Sequence, residues 1–312
     1  MNAEIVLFSG SAHTELADEI CGHLGVERSP VRTSRFSNDC LEVQLQANCR
    51  ERDVYLIQPI VPPVQENLVE LLLMADAARG ASAGRVTAVM PHYAYARSDK
   101  KDAPRISIGG RLVADLLVTA GINRVLTLTL HSPEVHGFFS VPVDHLHALR
   151  ELAAHFGQRD LSRTTVLSPD LGYVKGASAF AKRLGVPVAA GAKERFSDAR
   201  VSISSIIGDV ADRDVIVLDD EIARGTTVTE LLSVLRGYEP RSISVACTHG
   251  IFSDGALEKL VTEVDVKEIV ATNSVPISFT HPKLTVLSVA PALAEAIRRT
   301  HDGQSVSVLF EG

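Results

Sequence analysis

Val215-Ile-Val-Leu-Asp-Asp-Glu-Ile-Ala-Arg-Gly-Thr-Thr-Val-Thr-Glu-Leu-Leu-Ser-Val-Leu235 decides the fold. The apolar, β-branched run Val215 to Leu218 reads as a buried parallel strand. It delivers Asp219, Asp220 and Glu221 to an acidic tip, after which a Gly-Thr-Thr turn opens an amphipathic helix. Gly225 permits backbone conformations that bulkier residues resist, and Thr226 and Thr227 suit helix capping, so free N–H groups and the positive dipole end point into the turn. A phosphate fits there. The carboxylates would repel a phosphate, but they suit sugar hydroxyls and Mg²⁺, which prefers hard oxygen ligands. The implied ligand is a phosphorylated sugar.

The alternation of strand and helix extends outward from this stretch. Strands are expected at Ile5–Phe8, Leu41–Leu45, Val54–Ile57, Val86–Met90 and Val125–Leu130, with helices at Thr14–Leu24, Val64–Arg79 and Ile108–Ala120. After a connection near residues 140 to 147 the pattern resumes with strands at Thr165–Leu167, Val186–Ala189, Ser242–Ala246, Glu268–Ala271 and Thr285–Val289, and helices at Tyr173–Leu184 and Pro291–Arg299. Such βαβ alternation predicts an α/β fold with mostly parallel sheets. Arg52-Asp-Val-Tyr-Leu-Ile echoes Arg213-Asp-Val-Ile-Val-Leu, as a duplicated unit would. The predicted domains are 1–146 and 147–295; 296–312 is a C-terminal segment with the option of packing back on the first.

Four segments carry further chemistry. Arg35-Phe-Ser-Asn-Asp-Cys40 combines an arginine, a ring and small polar groups that suit a flat base, although an ordinary surface loop reads the same way. Pro91 to Arg105 follows a strand's C-terminal end, where open α/β sheets bind ligands, and its basic residues suit a polyphosphate. His131 and Asp170 each stand at such a strand end, His131 as a candidate for a polar or metal-linked role. Gly191 to Val201 has no clear period and reads as an exposed loop. There Lys193 and Arg195 are two apart and would face one side of an extended chain, in reach of a migrating phosphoryl group.

Composition narrows the function. The 312 residues are 46% apolar and 22% charged, enough for a sizeable core. A net charge of -7 argues against a broad nucleic-acid surface. No apolar run approaches the roughly 20 residues that cross a bilayer, and no signal-peptide pattern opens the chain, so a cytoplasmic protein without membrane contact is expected. The four cysteines are dispersed without a CxxC pair, which favours reduced thiols over a disulfide framework or zinc knuckle.

Across nearly its whole length the chain resembles ribose-phosphate pyrophosphokinases. The resemblance rests on Arg35-Phe-Ser, Asn67 to Gly80, Tyr95-Ala-Arg-Ser-Asp-Lys-Lys-Asp, Leu112-Val-Ala-Asp-Leu-Leu, Leu130-His-Ser, Gly137-Phe-Phe with Pro142-Val-Asp-His-Leu, Ser168-Pro-Asp, Lys193-Glu-Arg, Ile207-Gly-Asp-Val and Cys247-Thr-His-Gly. It implies two phosphoribosyltransferase-like domains, and Mg²⁺-dependent transfer of the diphosphoryl group of ATP to the C1 hydroxyl of ribose 5-phosphate. It also implies a homo-oligomer built from dimers. By motif position, Phe36 and Asn38 belong to an adenine loop shared across a subunit interface, and Arg97, Asp99 and His131 to ATP binding. His131 and Asp170 align with the metal site, Lys193 and Arg195 with the catalytic pair, and Asp219, Asp220, Arg224, Gly225, Thr226 and Thr227 with the ribose 5-phosphate loop.

The sequence departs from that family at Thr129 and Ala223, where Asp is usual, at Arg224, where Thr is common, at Cys40, where Glu is usual, and at Ser98, where Gln is usual. These departures leave two other readings open: a nucleotide-binding regulatory paralogue of the enzyme, and a phosphoribosyltransferase.

Overall fold

The computed structural model describes residues 4–309 apart from 198 and 199, and no side chain of 194–197 or 200–202. The chain divides into two compact units. Of the described residues, one takes in 4–147, 274–276 and 288–309; the other holds those of 148–273 and 277–287.

In chain order the first unit contains β1 (Ile5–Ser9), α1 (Thr14–Leu24), β2 (Arg28–Ser29), β3 (Val31–Arg35), β4 (Leu41–Leu45), β5 (Asp53–Ile57), α2 (Val64–Gly80), β6 (Arg85–Met90), α3 (Gly109–Ala120), β7 (Arg124–Leu128) and β8 (Val143–Leu146). The second contains α4 (Leu149–Phe156), β9 (Thr164–Ser168), α5 (Val174–Leu184), β10 (Val188–Ser197), β11 (Arg200–Ile207), β12 (Asp214–Ile222), α6 (Thr226–Leu235), β13 (Ser242–Gly250), α7 (Ala256–Thr262), β14 (Val266–Thr272) and β15 (Leu284–Leu287); α8 (Ala290–His301) returns to the first unit.

Strand alternation sends side chains to both faces of each sheet, and both faces are covered. In the first sheet, ordered β2-β1-β5-β6-β7-β8 and parallel throughout, Phe8, Val54, Leu56, Ala88 and Met90 pack under Leu71 and Met74 of α2 and Leu117 of α3. Tyr55 points the other way, its hydroxyl oxygen 3.3 Å from the Ile297 carbonyl of α8. Beside it, Asp53 accepts from Arg85 Nε at 2.7 Å and from the Tyr55 hydroxyl at 3.0 Å, with His301 Nδ1 2.8 Å away. Burial pushes the Asp53 carboxyl up, but the hydrogen bonds from Arg85 and His301 outweigh it and leave its pKa lowered.

The second sheet runs β11-β10-β9-β12-β13-β14-β15, parallel except for the antiparallel β10–β11 pair. Val215, Val217 and Val245 pack beneath Leu231 and Leu235 of α6 and Leu260 of α7, while Ile216, Leu218 and Val270 meet Phe156 of α4 and Phe180 of α5. No helix among the described residues is long and apolar enough to cross a membrane.

Four expectations need correction. The described part of 191–201 is not a loop: residues 191–197 continue β10, which pairs with β11 from 200 onward, and β11 buries Ile203 and Ile206 against the core. The strand after Asp214 does not stop at Leu218, because β13 accompanies it as far as the Ile222↔Gly250 pair; the acidic residues lie inside the strand, and Asp220 is buried. Residues 140–147 are more than a connection, since Val143–Leu146 is the edge strand beside β7. The N-cap of α6 is Gly225, with φ 70°, and no side chain caps the helix, so Thr226 and Thr227 are its first two residues.

Candidate active site

In the second sheet the chain moves outward from β9 to β10 and β11, then returns to lay β12 on the other side of β9. The C-terminal ends of β9 and β12 therefore flank a topological switch point, where open α/β sheets bind ligands. Asp170 follows β9, Asp219 and Asp220 lie in the C-terminal half of β12, and the Arg224 to Thr227 turn comes after the strand.

Asp170 is shaped by its own turn. Its Oδ1 accepts the backbone N–H groups of Gly172 at 2.8 Å and Tyr173 at 3.3 Å, and its Oδ2 meets Lys193 Nζ at 2.5 Å. Burial raises its pKa, but the Lys193 ammonium and those N–H groups overcome that and lower it. Asp170 is thus held ionised with a cation beside it. Lys193 reaches it because β10 lies next to β9. Arg195 is on the same strand, and its side chain lies outside the described residues.

Asp219 is the opposite case. Burial pushes its pKa well above the usual carboxylate range; the adjacent Asp220 charge pushes the same way, and Asp170 adds to it. The Asp220 N–H donates to Asp219 Oδ1 at 2.9 Å, too little to offset like charge in a desolvated position. Beside these carboxylates the partly buried Tyr173 has its hydroxyl likewise pushed well above its ordinary value, first by burial and then by Asp220.

At the α6 N-terminus, Gly225 has φ 70°, and a Cβ there would lie 3.4 Å from that of Ala256. Arg224 is exposed, with its Nε 3.1 Å from Asp254 Oδ2. The α6 N–H groups, the Asp219–Asp220 pair and a lysine lie in the same unit, and groups of these kinds suit phosphate, sugar hydroxyls and a divalent cation respectively. Among the described residues no group of three His, Cys, Asp or Glu side chains is arranged to hold a metal ion.

In the first unit the predicted residues sit on three loops. Phe36 and Asn38 are at the tip of the β3–β4 hairpin, with Phe36 55% exposed. Arg97 and Asp99 follow β6 on a segment fastened to α3: Gly109 N–H donates to Ser98 Oγ at 2.9 Å, and the Tyr93 hydroxyl donates to the Gly110 carbonyl at 2.9 Å. Ser132 Oγ donates to Asp99 Oδ2 at 2.7 Å, which joins this segment to the turn begun by exposed His131. That turn is entered through Thr129, a β-branched residue at φ 42°, with Leu130 N–H donating to His145 Nε2 at 2.8 Å.

The structure therefore brings Asp99 to the His131 turn, Asp170 to Lys193 and Asp219 to Asp220. It leaves Phe36 and Asn38 on a hairpin of their own. Sequence reading missed Asp254, whose only signal was a charge beside glycine, and Tyr173, which read as a helix start.

Comparison with known proteins agrees over the whole length. Residues 5–121 match the model of the N-terminal domain of ribose phosphate pyrophosphokinase, and residues 197–311 that of the phosphoribosyl synthetase-associated domain. The chain is 71% identical to a putative ribose-phosphate pyrophosphokinase of Streptomyces coelicolor, over 99% of this chain and 98% of that one. It is 48% identical to the ribose-phosphate pyrophosphokinase of Deinococcus radiodurans, over 98% of both. The crystal structure of phosphoribosylpyrophosphate synthetase from Mycobacterium smegmatis superposes with a TM-score of 0.91 at 38% identity, covering 96% of this chain and 99% of that one.

Proposed function

The chain belongs to the ribose-phosphate pyrophosphokinase family, a family of transferases, and from that premise we propose that it transfers the β,γ-diphosphoryl group of ATP to the C1 hydroxyl of ribose 5-phosphate. The oxygen on C1 bonds to the β-phosphorus and releases its proton to solvent, the bond from that phosphorus to the α-phosphate oxygen breaks, and AMP leaves. The observation that carries the reading is the switch point of the second sheet, where Asp219 and Asp220 crowd each other on the strand that leads into the α6 N-terminus, with Lys193 held on Asp170 after β9.

The 5-phosphate is received by the N–H groups at Gly225, Thr226 and Thr227, with Arg224 close by, and the ribose hydroxyls donate to Asp219 and Asp220. Lys193 and Arg195 follow the diphosphoryl group as it moves, which is where positioned cations lower a phosphoryl-transfer barrier most. The donor set fits Mg²⁺: its ligands are hard oxygens, and this ion commonly takes one or two carboxylates with substrate phosphates and water, so three protein ligands are not required. His131 and Asp170 are its proposed holders on the ATP side, and charge neutralisation of the phosphoryl oxygens is the chemistry it supplies when bound. Arg97 and Asp99 serve ATP in this reading, and Phe36 and Asn38 receive adenine across the interface of a homo-oligomer built from dimers. The setting is the cytoplasm.

Phosphorus NMR of the protein with Mg²⁺, ATP and ribose 5-phosphate tests this. AMP and the diphosphorylated sugar should appear in equal amounts; nucleotide binding without turnover would overturn the activity and favour the regulatory paralogue.

A further inference from the structure

The loop after β13 runs beside the loop after β12, and the two are joined at successive points. Phe252 N–H donates to the Ile222 carbonyl at 3.0 Å, Arg224 Nε lies 3.1 Å from Asp254 Oδ2, and Gly225 abuts Ala256. The Asp254 backbone is fixed independently of its side chain, because Lys259 Nζ donates to its carbonyl at 3.2 Å. Asp254 is left-handed, with φ 56°, between Phe252 at 46° and Gly255 at 72°. An L-residue adopts that conformation at a cost glycine would avoid, although Asp and Asn bear it better than most. What the cost brings here is a carboxylate aimed at Arg224. The contact uses Nε, and among the described residues no hydrogen bond engages the two terminal nitrogens of Arg224, which are the pair that grips a phosphate.

Resting on the ribose 5-phosphate reading of this loop, we propose that Asp254 is a positioning residue that orients the Arg224 guanidinium toward the sugar phosphate. The cation would otherwise sweep through solvent, since 75% of its side chain is exposed. It also offsets the acidic residues that precede it on β12. The phosphate subsite of this chain is in this way assembled from two loops.

Asp254→Asn keeps the left-handed backbone and loses the charge, while Asp254→Gly relieves the backbone altogether, so neither variant is threatened by misfolding at this position. Each should raise KM for ribose 5-phosphate roughly tenfold, the effect of losing one charge-assisted contact, with kcat and the KM for ATP unchanged. Arg224→Ala should do the same, and the Arg224→Ala, Asp254→Asn double variant should be no weaker than Arg224→Ala alone. Asp254→Glu should recover part of the loss. Unchanged KM in the Asp254 variants, or additive losses in the double variant, would overturn the proposal while leaving the activity standing. Calorimetric titration with ribose 5-phosphate alone separates the other case: binding without turnover removes the proposed activity but still reads the Asp254 effect as Kd, and a wild-type chain that binds no ribose 5-phosphate removes both.

Discussion

Each sheet has one switch point, and the two are finished differently. In the first sheet it lies between β1 and β5, where Gln58 packs so tightly on Gly10 that a Cβ there would meet its side chain at 2.4 Å. Gln58 Nε2 donates to buried Glu70 at 2.7 Å, and Glu70 also accepts from Ser11 N–H at 3.0 Å, Ser11 Oγ at 2.7 Å and Thr33 Oγ1 at 2.8 Å. The protein's own groups satisfy that carboxylate from α1's approach, the hairpin and β5 at once. In the second sheet Asp219 accepts the Asp220 N–H at 2.9 Å, yet burial and the neighbouring Asp220 charge drive it toward its protonated form. The difference separates a completed polar core from a site prepared for something the chain does not itself supply. It also explains why the first unit's candidate ligand residues, Arg97, Asp99 and His131, follow β6 and β7 instead of flanking its own switch point.

The comparison breaks most readily at Lys193. Lys193→Ala should lower kcat by about 10²–10³-fold with little change in KM for ATP, as loss of a contact made chiefly in the transition state does. Steady-state kinetics check it, and equal losses in binding and rate would place the lysine in the ground state instead.

Glu70→Ala tests the closed switch point. It orphans four donors at once and should cost about 3 kcal/mol, read as a lower urea midpoint with an unchanged slope. Turnover per folded molecule should stay the same; a large loss of kcat would mean that this end of the first sheet is functional too.

Asp219→Asn is the smallest and the most discriminating. The folded state keeps the Asp219 proton to higher pH than the unfolded chain does, so the group's contribution to stability declines as pH rises from its ordinary value of 3.8 through the raised one. Without metal or substrate, the variant should melt about 2–4 °C higher at pH 7, and the gain should vanish near pH 3, where both side chains are neutral. The stabilisation by Mg²⁺ with ribose 5-phosphate should shrink in the same variant. A lower melting temperature at pH 7 would show that Asp219 is already satisfied.

Much of this was legible. Thr14–Leu24 and Val64–Gly80 show helical spacing closed by glycine or by a charged end, and Val215–Leu218 is the β-branched run that a strand covered on both faces requires. The left-handed glycine that opens α6 follows from the same local chemistry. What was not legible depends on partners distant in sequence. The β10–β11 hairpin carries its cations on a strand whose partner supplies the apolar residues, so Lys193 looked like loop. Glu70 reads as an ordinary helix surface residue until Ser11, Thr33 and Gln58 arrive around it, and Asp254 matters only because it stands against Arg224.

The return of α8 to the first sheet has a consequence for synthesis. Asp53 and Arg85 are made early, but His301, 2.8 Å from Asp53, and the Thr300 carbonyl that accepts from Arg85 at 3.2 Å leave the ribosome only after the entire second unit. At translation rates of about 5–20 residues per second, that delay is on the order of ten seconds. Through it the nascent first unit carries a buried carboxylate with part of its shell missing and a sheet face that α8 has yet to cover. The unit that emerges first is the one completed last.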